Sequence, residues 1–123
     1  MSEREKSVDF AFEKLQVYQR AIRFVSLIYT LTRSFPPHEQ FGLTAQLRRA
    51  AVSIPANIAE GAGRYSDAER RQFYRTARAS IFECVALLQV SINERYLDHR
   101  QSKEAYHECL ELSQMLSGLI RAL

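Results

Sequence analysis

Glu104 and His107 form the most metal-like motif in the chain. Three residues apart on a helical pattern, they project from the same side of a helix. A carboxylate-bridged di-metal bundle needs two such Glu-x-x-His motifs and two further glutamates. The other histidines, His38 and His99, have no glutamate three residues before them. We therefore expect no metal site and no cofactor, with His107 on a helix surface.

The two cysteines offer little nucleophilic chemistry. Cys84 and Cys109 are not arranged as a CxxC pair, and both sit beside apolar residues in helical patterns. His107 precedes Cys109 by two residues, so the two side chains point to different sides of a helix. Buried free thiols are expected, and a disulfide between two helices is the alternative. No catalytic residues are predicted, and the chain is not expected to be an enzyme.

A glycine-containing segment, residues 60–64, resembles a phosphate loop only superficially. Gly61 and Gly63 are not followed by Lys-Ser or Lys-Thr, and no strand precedes them. Glycine is common where helices end. The segment is therefore interpreted as the end of a helix.

Arginines are the best candidates for a binding function. Seven of them lie between Gly42 and Ser80: Arg48, Arg49, Arg64, Arg70, Arg71, Arg75 and Arg78. Three carboxylates share that segment, so it carries +4 while the rest of the chain sums to −1. Arg71, Arg75 and Arg78 are spaced i, i+4, i+7, a row that could follow a phosphate backbone. The alternatives are a solvated face, or ion pairs within and between subunits with Glu60, Asp67, Glu69 and Glu83.

Composition indicates one helical domain. The chain has 123 residues, of which 46% are apolar and 25% charged. The four glycines and three prolines are too few to punctuate many short strands. No apolar run reaches the length of a membrane span, and the charged start is unlike a signal peptide. A cytoplasmic protein that does not contact a membrane is expected.

Hydrophobic periodicity predicts four helices, at about Glu13–Arg33, Gly42–Gly63, from Ser66 to about Tyr96, and from about Lys103 to the end. Short connections favour an all-α, antiparallel up-down-up-down four-helix bundle. Residues 12–123 are assigned to this bundle domain and residues 1–11 to a flexible N-terminal tail.

Local signals refine these helices. Ser66 with Glu69 predicts a capping box, and Ser102 is the expected cap of the fourth helix. The main apolar stripe of the first helix is predicted to comprise Leu15, Tyr18, Ile22, Val25, Ile28 or Tyr29, and Leu31.

The most unusual stretch is Ser53–Gly63, where Pro55 interrupts a helical pattern. Proline lacks an N–H and clashes with the carbonyl four residues earlier, at a cost of about 3 kcal/mol. We expect the helix to bend or restart there. Neighbouring alanines would let another helix approach closely. Asn57 and Glu60, one turn apart, could then fix helix register or join subunits. The predicted architectural motif comprises Ser53, Pro55, Asn57, Glu60 and Gly61.

Several segments carry a family resemblance over about residues 12–120. They are Phe12–Leu15 leading into Tyr18, Leu47–Gly61 with its Ser-Ile-Pro-Ala-Asn-Ile-Ala-Glu-Gly run, Phe73-Tyr74, Ala77–Ser80 and Glu83. The chain thereby resembles the four-helix-bundle proteins first noticed as reading frames within intervening sequences of bacterial 23S ribosomal RNA genes. The run from Ser53 to Gly61 is the most specific of these segments.

The resemblance implies a helical bundle that assembles into a homopentameric, barrel-like ring. The family includes the accessory variability proteins of diversity-generating retroelements, which are basic pentamers that bind nucleic acid and a reverse transcriptase. Here the net charge is only +3, less basic than that type. Two hypotheses follow for the chain: a homo-oligomer that binds RNA, DNA or a reverse-transcriptase-like protein through its arginines, or a structural scaffold whose arginines make intersubunit ion pairs.

Overall fold

The computed structural model describes residues 10–123, which form four α-helices and no strand. Helix α1 spans Gln16–Thr32, α2 Leu43–Ala62, α3 Asp67–Asn93 and α4 His99–Arg121. Short 3-10 turns occur at Ala11–Lys14 and Pro37–Glu39. Helices α1 to α4 pack in cyclic order, each against the two beside it. The predicted all-helical, four-helix architecture is confirmed.

Contacts across the seams show how the helices run. Ser53 of α2 meets Ser80 of α3, and Gly61 meets Tyr74, so these two helices are antiparallel. The core between the four helices contains mostly aliphatic side chains, with Ile54, Ile58 and Ile81 fully buried. Among residues 10–123, no helix is both long and apolar enough to cross a membrane.

Helix α1 is shorter than predicted, and its stripe is rotated. Leu15 is extended, with ψ of 127°, and separates the 3-10 turn from α1. The buried positions of α1 are Val17, Ala21, Phe24, Ile28 and Thr32. Ile22, assigned to the core from periodicity, is 44% exposed. Nearly every residue of α1 on two adjacent faces is apolar, so spacing alone could not identify the core face.

Helix α4 begins one turn earlier than predicted, and its cap is Asp98 rather than Ser102. Asp98 Oδ1 accepts the Gln101 amide at 2.7 Å, and Gln101 Oε1 accepts the Asp98 amide at 2.9 Å. Ser102 lies inside the helix and donates its hydroxyl to the Asp98 carbonyl. At Ser66 half of the predicted box forms: Ser66 Oγ accepts the Glu69 amide at 3.2 Å, while Glu69 accepts the serine hydroxyl.

Helix α3 ends at Asn93, before the predicted Tyr96. Arg95 has a φ of 65°, a left-handed conformation typical of a helix end. The amides of Tyr96 and Leu97 both donate to the Ser91 carbonyl, which closes the last turn. The Tyr96 hydroxyl then donates to Glu39 Oε2 at 3.0 Å, so the connections after α1 and α3 are joined.

Glu39 also caps α2. Its Oε1 accepts the Leu43 amide at 3.0 Å, one of the donors left free at a helix start. This hydrogen bond, followed by that from Tyr96, lowers the pKa of Glu39. The link therefore depends on an ionised carboxylate at the base of the bundle.

Helix α2 runs through Pro55 without the restart that was one of two expectations. Pro55 is buried in the helix. Gly61, predicted as a stop signal, lies within the last turn and is buried, because α2 continues to Ala62. A Cβ added at Gly61 would lie 2.8 Å from Tyr74 Cε1, closer than a real contact allows. Gly61 is thus required for close approach of α3.

Candidate nucleic-acid interface

Arg64 and Arg70 are neutralised by carboxylates of their own chain. Arg64 Nη2 lies 2.6 Å from Glu60 Oε1, and its guanidinium stacks 4.7 Å from the centre of the Phe73 ring. Arg70 Nη1 lies 2.8 Å from Asp67 Oδ1. The expected ion pairing therefore occurs within one chain here. These two arginines stabilise the turn between α2 and α3 and have less charge to offer a ligand.

Arg48 and Arg49 point to different sides of α2. Arg48 Nε donates to Thr32 Oγ1 at 2.8 Å, and its guanidinium lies 4.5 Å from the centre of the Tyr29 ring. It therefore fastens α2 to α1. Arg49 is exposed and has no ion-pair or hydrogen-bond partner among residues 10–123.

The predicted row on α3 forms at the edge that faces α4. Arg71 Nη1 donates to the Leu123 main-chain oxygen at 3.2 Å, and Arg78 Nη1 donates to Ser117 Oγ at 3.0 Å. Arg75, between them, is exposed. No side-chain carboxylate among residues 10–123 pairs with any of the three. The charges of Arg75 and Arg78 are therefore not neutralised within the described chain.

Arg121 extends this row from the neighbouring helix, a residue that the sequence did not single out. It lies with Arg78 along a groove of about 490 Å³, whose other lining residues are Phe82, Ser113, Gln114 and Ser117. Arg121 stands eight residues from Ser113 and four from Ser117, a spacing that puts all three on one side of α4. That spacing was the available signal, although Arg121 lies outside the segment 42–80 that carries the seven predicted arginines.

Helix α4 separates its charges between two sides. Glu108 and Glu111 turn toward α1, where Arg20 lies 2.6 Å from the first carboxylate and 3.4 Å from the second. The hydrogen bond from Glu108 raises the pKa of Arg20. The opposite side of α4 carries Ser113, Ser117 and Arg121. Neither glutamate lines the groove that holds Arg78 and Arg121.

The Ser53 motif makes a polar contact between α2 and α3. Ser53 Oγ and Ser80 Oγ are 2.9 Å apart, and Asn57 Nδ2 donates to the Ser53 carbonyl at 2.8 Å and to Ser53 Oγ at 3.0 Å. Asn57 thus bonds within its own helix and orients Ser53. Glu60 is exposed and bonds Arg64 instead. The motif acts inside the bundle and is separate from the arginine row.

The remaining candidates for chemistry are dispersed. Both thiols are free and buried, and burial raises the pKa of Cys84 to about 12 and also raises that of Cys109. His107 is exposed and binds Glu111 at 3.1 Å rather than Glu104. Residues 10–123 contain no group of three or more metal-ligating side chains. The chemistry that the site offers is therefore that of its arginines on α3 and α4, which can attract and hold anions.

The fold and this surface define a four-helix-bundle protein with a basic edge between α3 and α4. Comparison with known families makes the identification sharper. The family model described as 23S rRNA-intervening sequence protein matches residues 13–118, and the chain belongs to that family. The resemblance seen in the sequence is thereby confirmed.

A solved structure has a similar fold. It is the crystal structure of a protein with unknown function from the S23 ribosomal protein family of Bacteroides thetaiotaomicron. The TM-score is 0.78 at 23% identity, and the match covers 85% of this chain and 97% of the other. No curated protein matches the chain. The likeness supports the bundle itself, and function has to be inferred from the surface.

Proposed function

We propose that the protein is a cytoplasmic, non-enzymatic homo-oligomer that binds nucleic acid through the arginine row of α3. The observation that carries this proposal is the set Arg71, Arg75 and Arg78, to which α4 adds Arg121. Within the described chain Arg78 donates to a hydroxyl and Arg75 has no hydrogen-bond or ion-pair partner, so their charges are available to phosphate groups. The two buried free thiols fit a reducing compartment.

The contrast with Arg64 and Arg70 strengthens the proposal. Those two are held by side-chain carboxylates at 2.6 and 2.8 Å, whereas no side-chain carboxylate among residues 10–123 pairs with the row. Arginine forks suit phosphate oxygens, and several aligned forks bind a polyanion better than a single one. The positions that we infer to bind are therefore fewer than the seven suggested by sequence, since Arg64 and Arg70 are paired with carboxylates and Arg48 lies over the Tyr29 ring.

Self-association is the second part of the proposal. Ile22, Tyr29 and Val52 are apolar side chains that remain partly exposed on α1 and α2. Such exposed apolar residues support contact between copies. The number five comes from the family resemblance. In a ring the arginine row would repeat with the symmetry, and its electrostatic field would be reinforced.

Salt dependence tests the nucleic-acid part. Affinity for duplex DNA should fall linearly in log salt, with a slope near −0.9 per phosphate contacted. Arg71→Ala combined with Arg75→Ala should flatten that slope by about one to two units. Arg64→Ala combined with Arg70→Ala removes the same charge from already paired arginines and should change the slope less. An unchanged slope in the first double variant would exclude the row as the binding site.

The scaffold alternative predicts different results. If the arginines of the row make intersubunit ion pairs, nucleic acid should not be retained at about 0.15 M salt, and Arg71→Ala with Arg75→Ala should disperse the oligomer. Light scattering of the purified protein, with and without nucleic acid, separates the two. A monomer under both conditions would contradict the self-association that the two hypotheses share.

A further inference from the structure

The basic edge continues into a long groove between α3 and α4. The arginine-lined part shares Phe82 and Ser113 with a second part of about 240 Å³. That part shares Tyr106 and Leu110 with a third of about 590 Å³. From Arg121 to Lys103 the groove follows α4 for about 27 Å, at 1.5 Å per residue.

We propose that this groove, the α3–α4 groove, binds a single strand of nucleic acid. In this arrangement Arg78 and Arg121 hold phosphates, and Phe82 and Tyr106 stack on bases. The inference rests on the proposed function and deepens it, because it names the form of nucleic acid and the residues that contact its bases.

Charge complementarity is the first support. The residues that line the three parts include Arg78 and Arg121 at one end and Lys103 at the other, and no carboxylate. Neither Glu108 nor Glu111 lines the groove: Glu108 is paired with Arg20 on α1, and Glu111 is shared between Arg20 and His107. A groove that is cationic at both ends and free of acidic lining favours an extended polyanion over an acidic patch of limited length.

Two histidines and one aspartate lie at or next to the end of the groove that carries Lys103. His99 lines the third part of the groove, and His107 does so while bonded to Glu111. Asp98 lies beyond it, and its carboxylate is occupied by the Gln101 amide as the cap of α4. The Asp98 carboxylate is therefore already used by the backbone.

Exposed aromatic rings are the second support. Phe82 is 58% exposed and Tyr106 is 47% exposed. Both line the middle of the groove, between the cationic ends. A cationic groove with exposed aromatic rings is the pattern used for single strands, because each base offers a face for stacking.

The rings also distinguish a single strand from a duplex. In a duplex the bases already stack on one another and present only their edges in the grooves. Phe82 and Tyr106 can then gain little, whereas the bases of a single strand are free to stack on them. Phosphate contacts at Arg71, Arg75 and Arg78 are available to both forms. Affinity for a single strand should therefore depend on the rings, and affinity for a duplex on the arginines alone.

Fluorescence anisotropy with a labelled oligothymidylate of about twelve nucleotides, and with a duplex of the same length, tests this dependence. Phe82→Ala should weaken single-strand binding by about 5- to 100-fold and leave duplex binding within about twofold. Phe82→Tyr should restore the affinity, since it retains the ring. Tyr65→Ala removes a ring that is 97% exposed and does not line the groove, so it should change neither affinity.

The outcomes separate this inference from the proposed function. If wild-type protein binds both probes with a salt slope that depends on Arg71 and Arg75, but Phe82→Ala changes neither affinity, the groove assignment is wrong and the proposed function stands. If wild-type protein binds neither probe, both fail. A fall in particle mass by light scattering for Phe82→Ala, with its helical circular dichroism retained, would show that a second copy of the chain occupies the groove, and would also overturn the inference.

Discussion

Helix α3 contacts its two neighbours in different ways. Toward α2 it presents Tyr74 and Ser80, which meet Gly61 and Ser53 at close range. Toward α4 it presents Arg78 and Phe82 along an open groove. Gly61 and the two serines allow close contact between α2 and α3, whereas long side chains line an open groove between α3 and α4.

The difference shows how one helix can serve stability and binding together. Small side chains at a seam allow backbones to approach, which excludes water and increases dispersion contacts. Large side chains at the edge of a seam cannot all be buried, so some remain exposed where a ligand can reach them. The α2–α3 seam is therefore expected to determine stability, and the α3–α4 groove to be tolerant of substitution.

The largest effect on stability is expected from Gly61→Leu. Its Cβ alone would come within 2.8 Å of Tyr74 Cε1, so α2 and α3 must separate. Overpacking of this kind costs about 1–3 kcal/mol of unfolding free energy. Chemical denaturation measures it.

Gly63→Leu is the matched control, because a Cβ there meets nothing closer than 3.7 Å. Its effect should be within about 0.5 kcal/mol. Equal losses for the two variants would mean that the α2–α3 seam is not the tighter one.

A smaller effect is expected for the serine contact in the same seam. Ser53→Ala and Ser80→Ala each remove one side of a 2.9 Å hydrogen bond. A double-mutant cycle on unfolding free energy should give a coupling of about 0.5–1.5 kcal/mol. Additive losses, with a coupling below about 0.3 kcal/mol, would mean that the serine hydrogen bond does not stabilise this seam. Of the two features tested, Gly61 alone would then contribute to its stability.

The smallest effect on stability is expected from Phe82→Cys in the groove, within about 0.5 kcal/mol, because the ring is largely exposed. The new thiol should react readily with a disulfide reagent at about pH 8, close to the ordinary thiol pKa. Cys84 should not react, because burial raises its pKa to about 12 and only the thiolate is nucleophilic.

Wild-type protein provides the control for that measurement. Cys109 lines the groove wall but is 1% exposed, and burial raises its pKa as well. Native protein should therefore show almost no reactive thiol before denaturant is added. Rapid reaction of both native thiols would show that the seam between α3 and α4 opens far more readily than its packing indicates.

Local signals in the sequence were informative where one residue type has one common role. Ser66 starts α3, Gly42 and Gly63 flank α2, and a 3.6-residue period identified four helices. The same signals misassigned the start of α4, since Asp98 and Ser102 are both good caps and only the reciprocal bond with Gln101 decides between them. Ile22 was misplaced because an apolar residue beside a stripe can face either the core or solvent.

The sequence by itself determined the helical content, the family and the presence of an arginine row on α3, because these depend on spacing along one helix and on a contiguous motif. Tertiary structure decided which arginines are already paired, that Arg121 joins Arg78, and that Gly61 serves packing rather than termination. Those outcomes depend on which side chains of separate helices meet. Residues distant in sequence are brought together by the packing of the whole bundle, and spacing within a single helix carries no record of the neighbouring helix.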